Sequence, residues 1–328
     1  MGRGRPSALA RRLRGAFERV VAAPLEIAAR VLSAMPTGAV LGMAEALGDA
    51  LWLLDRRGRK AGMENLRVVF GDGMPVAERR RVLRSSFRSV ATAEVLVFHL
   101  QSRTAERFHR FVRIAADDYG RIRSFMLDNP RMVIVSGHYG NWELGLAGRH
   151  VFPGLPEFAY LTETTGRPRV DALFDRFRDR GSGGAARRKH GALALRKALE
   201  DGRSATLLVD RNVRRQLGGR WVPFLGLPSR TTPLGAVLAR QCGVPLAVLL
   251  LIPEGRGRWR LWASPDLTGP DTDDPEADAL ATMTRVNDVL SRMIRERPEA
   301  WAWMLKRWKS RPTPELGPYP AYSLYDPD

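Results

Sequence analysis

Two polar side chains stand out in the segment Gly137-His138-Tyr139-Gly140-Asn141-Trp142-Glu143. His138 follows a short β-branched run, Met132-Val133-Ile134-Val135, and Glu143 comes five positions later, where a helical pattern begins. In one straight helix that spacing would send the two side chains to different faces. A strand–turn–helix path lets them converge. A histidine that donates one ring nitrogen to a carboxylate is held in one tautomer and made more basic. It can then take the proton of an alcohol as that alcohol attacks a thioester. The acceptor hydroxyl is itself the nucleophile, so the chemistry needs no serine or cysteine. In open α/β sheets reactive groups collect at the carboxyl ends of strands, which is where this turn falls.

Composition narrows the alternatives. The chain has 328 residues and a hydrophobic fraction of 44%, enough for a sizeable core. A single cysteine, Cys242, excludes an internal disulfide or a cysteine-rich zinc site. Five histidines with no HExxH-type pair give no metal-binding helix, so neither a metal nor another cofactor is expected. The net charge of +18 favours anionic partners: phosphates, lipid headgroups or an acidic protein.

The elements that must position His138 alternate between helix and strand. Helices are expected over 8–33 and 37–58, separated by Met35-Pro36-Thr37, and again over 75–100. The strand at 132–135 is followed by a turn marked by Gly137 and Gly140, with Asn141 capping the next helix. Further strands are read at 158–164, 204–210, 245–253 and 258–264, the last two joined by a hairpin turn. Helices are read at 169–180, 191–201, 232–242 and 276–297, ahead of a tryptophan-rich tail. The pattern predicts an α/β fold with a central mixed sheet flanked by helices. Residues 1–100 are expected to form a helical, membrane-associating extension and residues 101–328 the α/β domain. Apolar stretches in 8–54 are broken by charges such as Glu18, Arg19, Glu26 and Arg30. They suggest amphipathic helices lying on an anionic surface rather than a secretory signal or an uninterrupted span.

GHYGNWELG resembles the signature of the bacterial lipid A biosynthesis acyltransferases, within the wider lysophospholipid acyltransferase superfamily. The resemblance covers most of the chain. Asn65-Leu66 with Phe70 resembles the family's pre-domain motif, and Glu94 stands where relatives often carry a glutamate. Leu161-Thr162-Glu163 and Arg178-Asp179-Arg180-Gly181, LLVDRN, VPFLGLPSRTT and PEAWAWMLKRWKSRP resemble successive later blocks. Asp210-Arg211 is closer to the phosphatidylinositol mannoside acyltransferases, and Met304 stands where the closing motif commonly has histidine. The resemblance implies an O-acyltransferase with His138 and Glu143 catalytic. It places Asn141, Arg178, Arg180, Asp210, Arg211 and Arg230 toward substrate. Asp210 is also open to a structural salt bridge with Arg211, and the Arg230-Thr231-Thr232 run to a helix cap.

Acyl carrier protein or acyl-CoA is the implied donor. A lipid or glycolipid hydroxyl is the acceptor, a glycerophospholipid or phosphatidylinositol mannoside being the alternative. The implied location is peripheral or monotopic, on the cytoplasmic face of the inner membrane. A non-catalytic protein that binds anionic lipid or nucleic acid would fit the charge. The sequence has no nucleic-acid motif, however, and such a protein would leave GHYGNWELG without a role. Trp301, Trp303 and Trp308, interleaved with Lys306, Arg307 and Lys309, read first as core tryptophans with a basic rim.

Overall fold

The computed structural model describes residues 23–100, 104–147, 150, 157–163, 165–178, 184–187, 190–255 and 257–327. Helix α1 covers 23–34, and α2 (Thr37–Leu54) follows it after Met35-Pro36. The helix expected over 37–58 is in fact two. Asp55 breaks it, leaves helical geometry and accepts the Gly58 amide at 2.8 Å, so that α3 (Arg56–Phe70) starts in a new direction. Helix α4 (Val76–His99) packs along α2. A Cβ on Gly48 would stand 2.5 Å from the Arg88 Cα, so glycine is what lets these two helices approach so closely. Asp49 of α2 grips both Arg84 and Arg88 of α4 through paired hydrogen bonds of 2.6–2.8 Å.

The remaining helices are α5 (Thr104–Phe111), α6 (Ala116–Asp128), α7 (Trp142–Gly145), α8 (Pro168–Arg178), α9 (Gly191–Glu200), α10 (Leu234–Cys242) and α11 (Pro275–Glu296). The main sheet has seven strands: β1 (Val112–Ile114), β2 (Val133–Ser136), β3 (Phe158–Thr162), β4 (Ala185–Arg187), β5 (Ser204–Leu208), β8 (Leu246–Gly255) and β9 (Arg258–Ala263). Their order is β1-β9-β8-β2-β5-β3-β4. Strands β8, β2, β5, β3 and β4 run parallel, and β9 reverses at the hairpin. The sheet is therefore mixed and mostly parallel, with helices covering it. Its central strand β2 is buried throughout, as a β-branched run covered on both faces should be.

A separate hairpin, β6 (Arg220–Phe224) and β7 (Leu227–Thr231), falls in a stretch whose sequence gave no strand assignment. Pro223 and Pro228 face each other across it, and proline is tolerated because neither strand joins the main sheet. A short parallel pair, β10 (Ser310–Arg311) and β11 (Leu324–Tyr325), closes the C-terminal tail.

Helices α3 and α4 share one core with the C-terminal tail and the sheet. Leu66, Leu83 and Phe87 of α3 and α4 join the core that holds Trp301, Trp303 and Trp308, all three at 0% exposure. These are core tryptophans. The Asn65 amide donates to the carbonyls of Trp303 and Leu305, both at 2.8 Å, and Phe70 packs on Trp303. Helix α2 is long and apolar enough to cross a membrane by length and composition alone, with mean hydropathy 1.2. Here one side of it lies on α4, while Met43, Leu47, Leu51 and Leu54 project from the outer side.

Candidate active site

Strand β2 ends at Ser136, and the chain turns through Gly137-His138-Tyr139-Gly140 into α7. Gly140 has φ +59°, and a Cβ there would stand 1.7 Å from the Leu251 carbonyl oxygen. Only glycine fits. The turn is clamped from the tail. The Gly140 amide donates to Ala300, and the His138 carbonyl accepts from Ala302, at 2.8 and 3.0 Å. Asn141 caps α7 by accepting the Leu144 amide at 3.1 Å. It is fully buried, so its part is to hold the turn.

The carboxylate on His138 is Asp210, seventy-two positions away. Nδ1 lies 2.8 Å from Oδ1, and the His138 backbone amide donates to Oδ2 at 2.7 Å. Trp301 Nε1 donates to the same Oδ2 at 2.7 Å. Asp210 is 0% exposed and continues the line of β5, which pairs directly with β2. Burial alone would raise its pKa, but the charge and hydrogen bonds of His138, with that of Trp301, hold it down at about 2. It is an acceptor at neutral pH, so Nδ1 carries the hydrogen and Nε2 is left as the basic nitrogen. Burial pushes the imidazole down, and Asp210's charge and hydrogen bond outweigh it, leaving the pKa above the ordinary histidine value.

Glu143 is therefore not the partner of His138. Set in the first turn of α7, it pairs with Arg178 at the end of α8, at 2.6 and 2.9 Å. Both groups are shielded from solvent, at 5% and 17% side-chain exposure. This fork-on-fork pairing fixes the guanidinium plane. Glu94 of α4 stands by the pair. Burial, and then the charge of Glu143, push its carboxyl up to about 7. Trp142 packs edge-on against His138 with ring centroids 5.1 Å apart.

His138, Trp142, Glu143, Arg178 and Glu94 line one cavity of about 760 Å³. It runs down one face of the sheet, where alternate residues Met132, Ile134, Ser136, Ser204, Thr206 and Leu208 form its wall. The register sets Ile134 beside Thr206, and Thr206 beside Tyr160. β5 stays paired with β2 as far as Leu208 but with β3 only as far as Thr206. Where β5 and β3 part, the cavity also reaches Leu207, Leu234 and Val237 on the α9–α10 side.

The other residues expected at the site divide. Arg211 lies at the cavity edge, with Nη1 3.2 Å from Glu163 rather than paired with Asp210. Asp210 lies behind His138, outside the cavity lining. Arg230 is 1% exposed and away from the cavity; its guanidinium packs on Trp221 and holds the carbonyls of Asp326 and Pro327. It secures the C-terminal segment; Pro233 stands at the N-cap of α10, and the Thr232 hydroxyl just before it accepts the Leu234 amide at 3.3 Å. Arg180 lies outside the described residues. The pairing of Trp301 with Asp210 was not read from the sequence; the one sign of it was that the tryptophan-rich block is as distinctive as the histidine turn. Among the described residues no group of His, Cys, Asp and Glu could hold a metal ion.

A parallel-sheet turn thus presents a carboxylate-backed histidine at the mouth of an apolar cavity. Residues 22–310 match the bacterial lipid A biosynthesis acyltransferases, and the chain belongs to that family. It is similar to the lipid A biosynthesis palmitoleoyltransferase of Escherichia coli (strain K12), at 24% identity over 80% of this chain and 83% of that one. It is likewise similar to the lipid A biosynthesis myristoyltransferase of the same strain, at 24% identity over 88% of this chain and 92% of that one. A lipid A biosynthesis acyltransferase of Shigella flexneri matches at the same 24%.

Proposed function

We propose that this protein transfers a fatty acyl chain from acyl carrier protein or acyl-CoA to a hydroxyl of a lipid A-type glycolipid precursor. His138 is the general base and Asp210 its orienting partner. The observation that carries this reading is the 2.8 Å contact of His138 Nδ1 with buried Asp210, which leaves Nε2 for the substrate at the head of an apolar cavity. The acceptor oxygen attacks the thioester carbonyl carbon while its proton passes to Nε2. The tetrahedral adduct collapses, the carbon–sulfur bond breaks, and the departing sulfur takes the proton back from His138. An ester and a free thiol result.

Asp210 acts by holding the Nδ1 hydrogen and by stabilising the imidazolium formed during attack. Glu143 acts through Arg178, whose cation is fixed in the cavity wall, where charge develops on the carbonyl oxygen or where an acceptor phosphate binds. The acyl chain lies along the sheet face below His138. The arm beside α9 and α10 suits an apolar part of the acceptor. A peripheral position on the cytoplasmic face of the inner membrane fits the outward leucines of α2 and the net positive charge.

The test is transfer of a labelled acyl chain from carrier protein and from CoA to a panel of lipid A precursors, glycerophospholipids and phosphatidylinositol mannosides. Transfer to the glycolipid precursors that depends on His138 supports the assignment. Preferential acylation of one of the other acceptors replaces it.

A further inference from the structure

The elbow between α2 and α3 gathers positive charge on one face. Arg56, Arg57, Arg59, Lys60 and Arg80 line a shallow cavity of about 530 Å³ around Trp52. Among the described residues, Arg56, Arg57, Lys60 and Arg80 make no side-chain hydrogen bond or ion pair. The nearby carboxylates hydrogen-bond to other groups: Asp55 accepts the Gly58 amide at 2.8 Å, and Glu64, which also feels the charge of Lys60, pairs with Arg67 at 3.0 Å. The Asp55 carboxylate caps the start of α3, and the first turn beyond it carries Arg56 and Arg57 without a further acid. Like charges concentrated on one concave surface make a place where an anion is stabilised from several sides.

The surroundings select the kind of anion. Leu53 and Leu54, at 70% and 78% exposure, end α2 just before Asp55 and Arg56, and they continue the outward row Met43, Leu47 and Leu51. A phosphate on the cations would thus have apolar surface beside it for hydrocarbon. A nucleic-acid base would find no platform. Trp52 turns its ring edge-on to Phe87 at 5.9 Å, and the Arg59 guanidinium lies 5.6 Å from its centroid.

We propose that the α2–α3 elbow is a binding site, separate from the catalytic cavity, for the phosphate of an anionic membrane lipid, with Arg56, Arg57, Lys60 and Arg80 as its ligands. It rests on the proposed function only in taking the ligand to be a membrane lipid. Bound there, the lipid seats the row of α2 side chains in the bilayer surface.

The experiment uses the full chain and two kinds of vesicle, neutral phosphatidylcholine and the same lipid with about one-third phosphatidylglycerol. Two triple variants lower the net charge equally: R56Q/R57Q/R80Q at the elbow, and R123Q/R131Q/R292Q on other surfaces. The elbow variant is expected to lose at least ten-fold in partitioning to the anionic vesicles, and the control less than about two-fold. Replacing Leu53 and Leu54 by serine is expected to weaken the same binding. Equal losses in the two triple variants would show a response to net charge alone and overturn the site, as would no loss in either. Displacement of the vesicles by millimolar inorganic phosphate would mark a soluble-phosphate site and overturn the lipid assignment. Acyl transfer to a detergent-dispersed acceptor is measured on the same proteins. A wild type that transfers nothing defeats the proposed function while leaving the vesicle result to decide the elbow.

Discussion

His138 can serve as a base only with its Nε2 unprotonated, and Asp210 both supplies that geometry and raises the pH at which it holds. On the proposed assignment the acid limb of kcat/KM has an apparent pKa above about 6.5, because Asp210 holds the imidazole above its ordinary value. Asp210→Asn removes the charge, so the limb should move to lower pH while the rate falls. His138→Ala should cost roughly 10²–10⁴-fold, the usual contribution of positioned general-base catalysis. The double variant should be little worse than His138→Ala, since the two residues act as one unit. Labelled acyl transfer across pH, with circular dichroism to confirm folding, checks all three; a folded His138→Ala protein with near wild-type rate would remove the base assignment.

Glu94 gives a second prediction at the same scale. Its folded pKa of about 7 lies above that of an unfolded glutamate, so the folded state binds the proton more tightly. Its contribution to stability is fully present below the unfolded pKa and is lost as pH rises through 7. Glu94→Gln should therefore stabilise the protein at pH 8, by the order of 1–3 kcal/mol, and change little at pH 4. Denaturant melts at the two pH values test this.

Among the elements, the turn from β2 into α7 carries the most consequence per residue. Gly140→Ala puts a methyl group into the Leu251 carbonyl and asks a residue with a Cβ to keep φ +59°. The turn must then shift, and with it the hydrogen bonds that clamp Gly140 and His138 to the tail. A loss of about 2–4 kcal/mol in stability is expected, from the steric and conformational cost together. Activity should fall further than stability does, because a displacement of about 1 Å in a catalytic group costs on the order of 10²-fold. Thermal melts and acyl transfer on the same sample compare the two losses. Helix α7 itself was legible from Asn141. The hairpin β6–β7 was not, because Pro223 and Pro228 argue against strand wherever one assumes a central sheet. The break at Asp55 was also missed, since an aspartate between two helical patterns reads equally as a surface position.

For the molecule as a whole, the cavity wall is assembled from strands that are distant in sequence and adjacent in register. From Ser136 to Met132 the wall descends about 13 Å at about 3.3 Å per strand residue. An extended hydrocarbon advances about 1.25 Å per carbon when built from single bonds of about 1.5 Å, so that depth takes roughly ten carbons. Ile134 lies halfway. Ile134→Phe should obstruct the lower half and shift the preferred acyl chain shorter by roughly five carbons, with little effect on the rate for short chains. Competition between acyl donors of different length measures the shift, and an unchanged preference would place the acyl chain elsewhere.

What could be read along the chain is what neighbouring residues decide. The β-branched run before His138, the glycines of the turn, the Asn141 cap and the alternation of strands with helices were all visible, because each rests on backbone conformation within a few residues. So was the candidate base itself. Local spacing also nominated Glu143 as its partner, and there the tertiary structure decided otherwise. Sheet order sets β5 beside β2, which brings Asp210 under the His138 turn, while the first turn of α7 carries Glu143 toward Arg178. Arg230 was displaced from the site in the same way, drawn into the core by Trp221 and the C-terminal carbonyls. A buried carboxylate takes whichever donors the packed fold brings within hydrogen-bond reach, and those donors are chosen by strand order and helix packing, which no short-range pattern encodes.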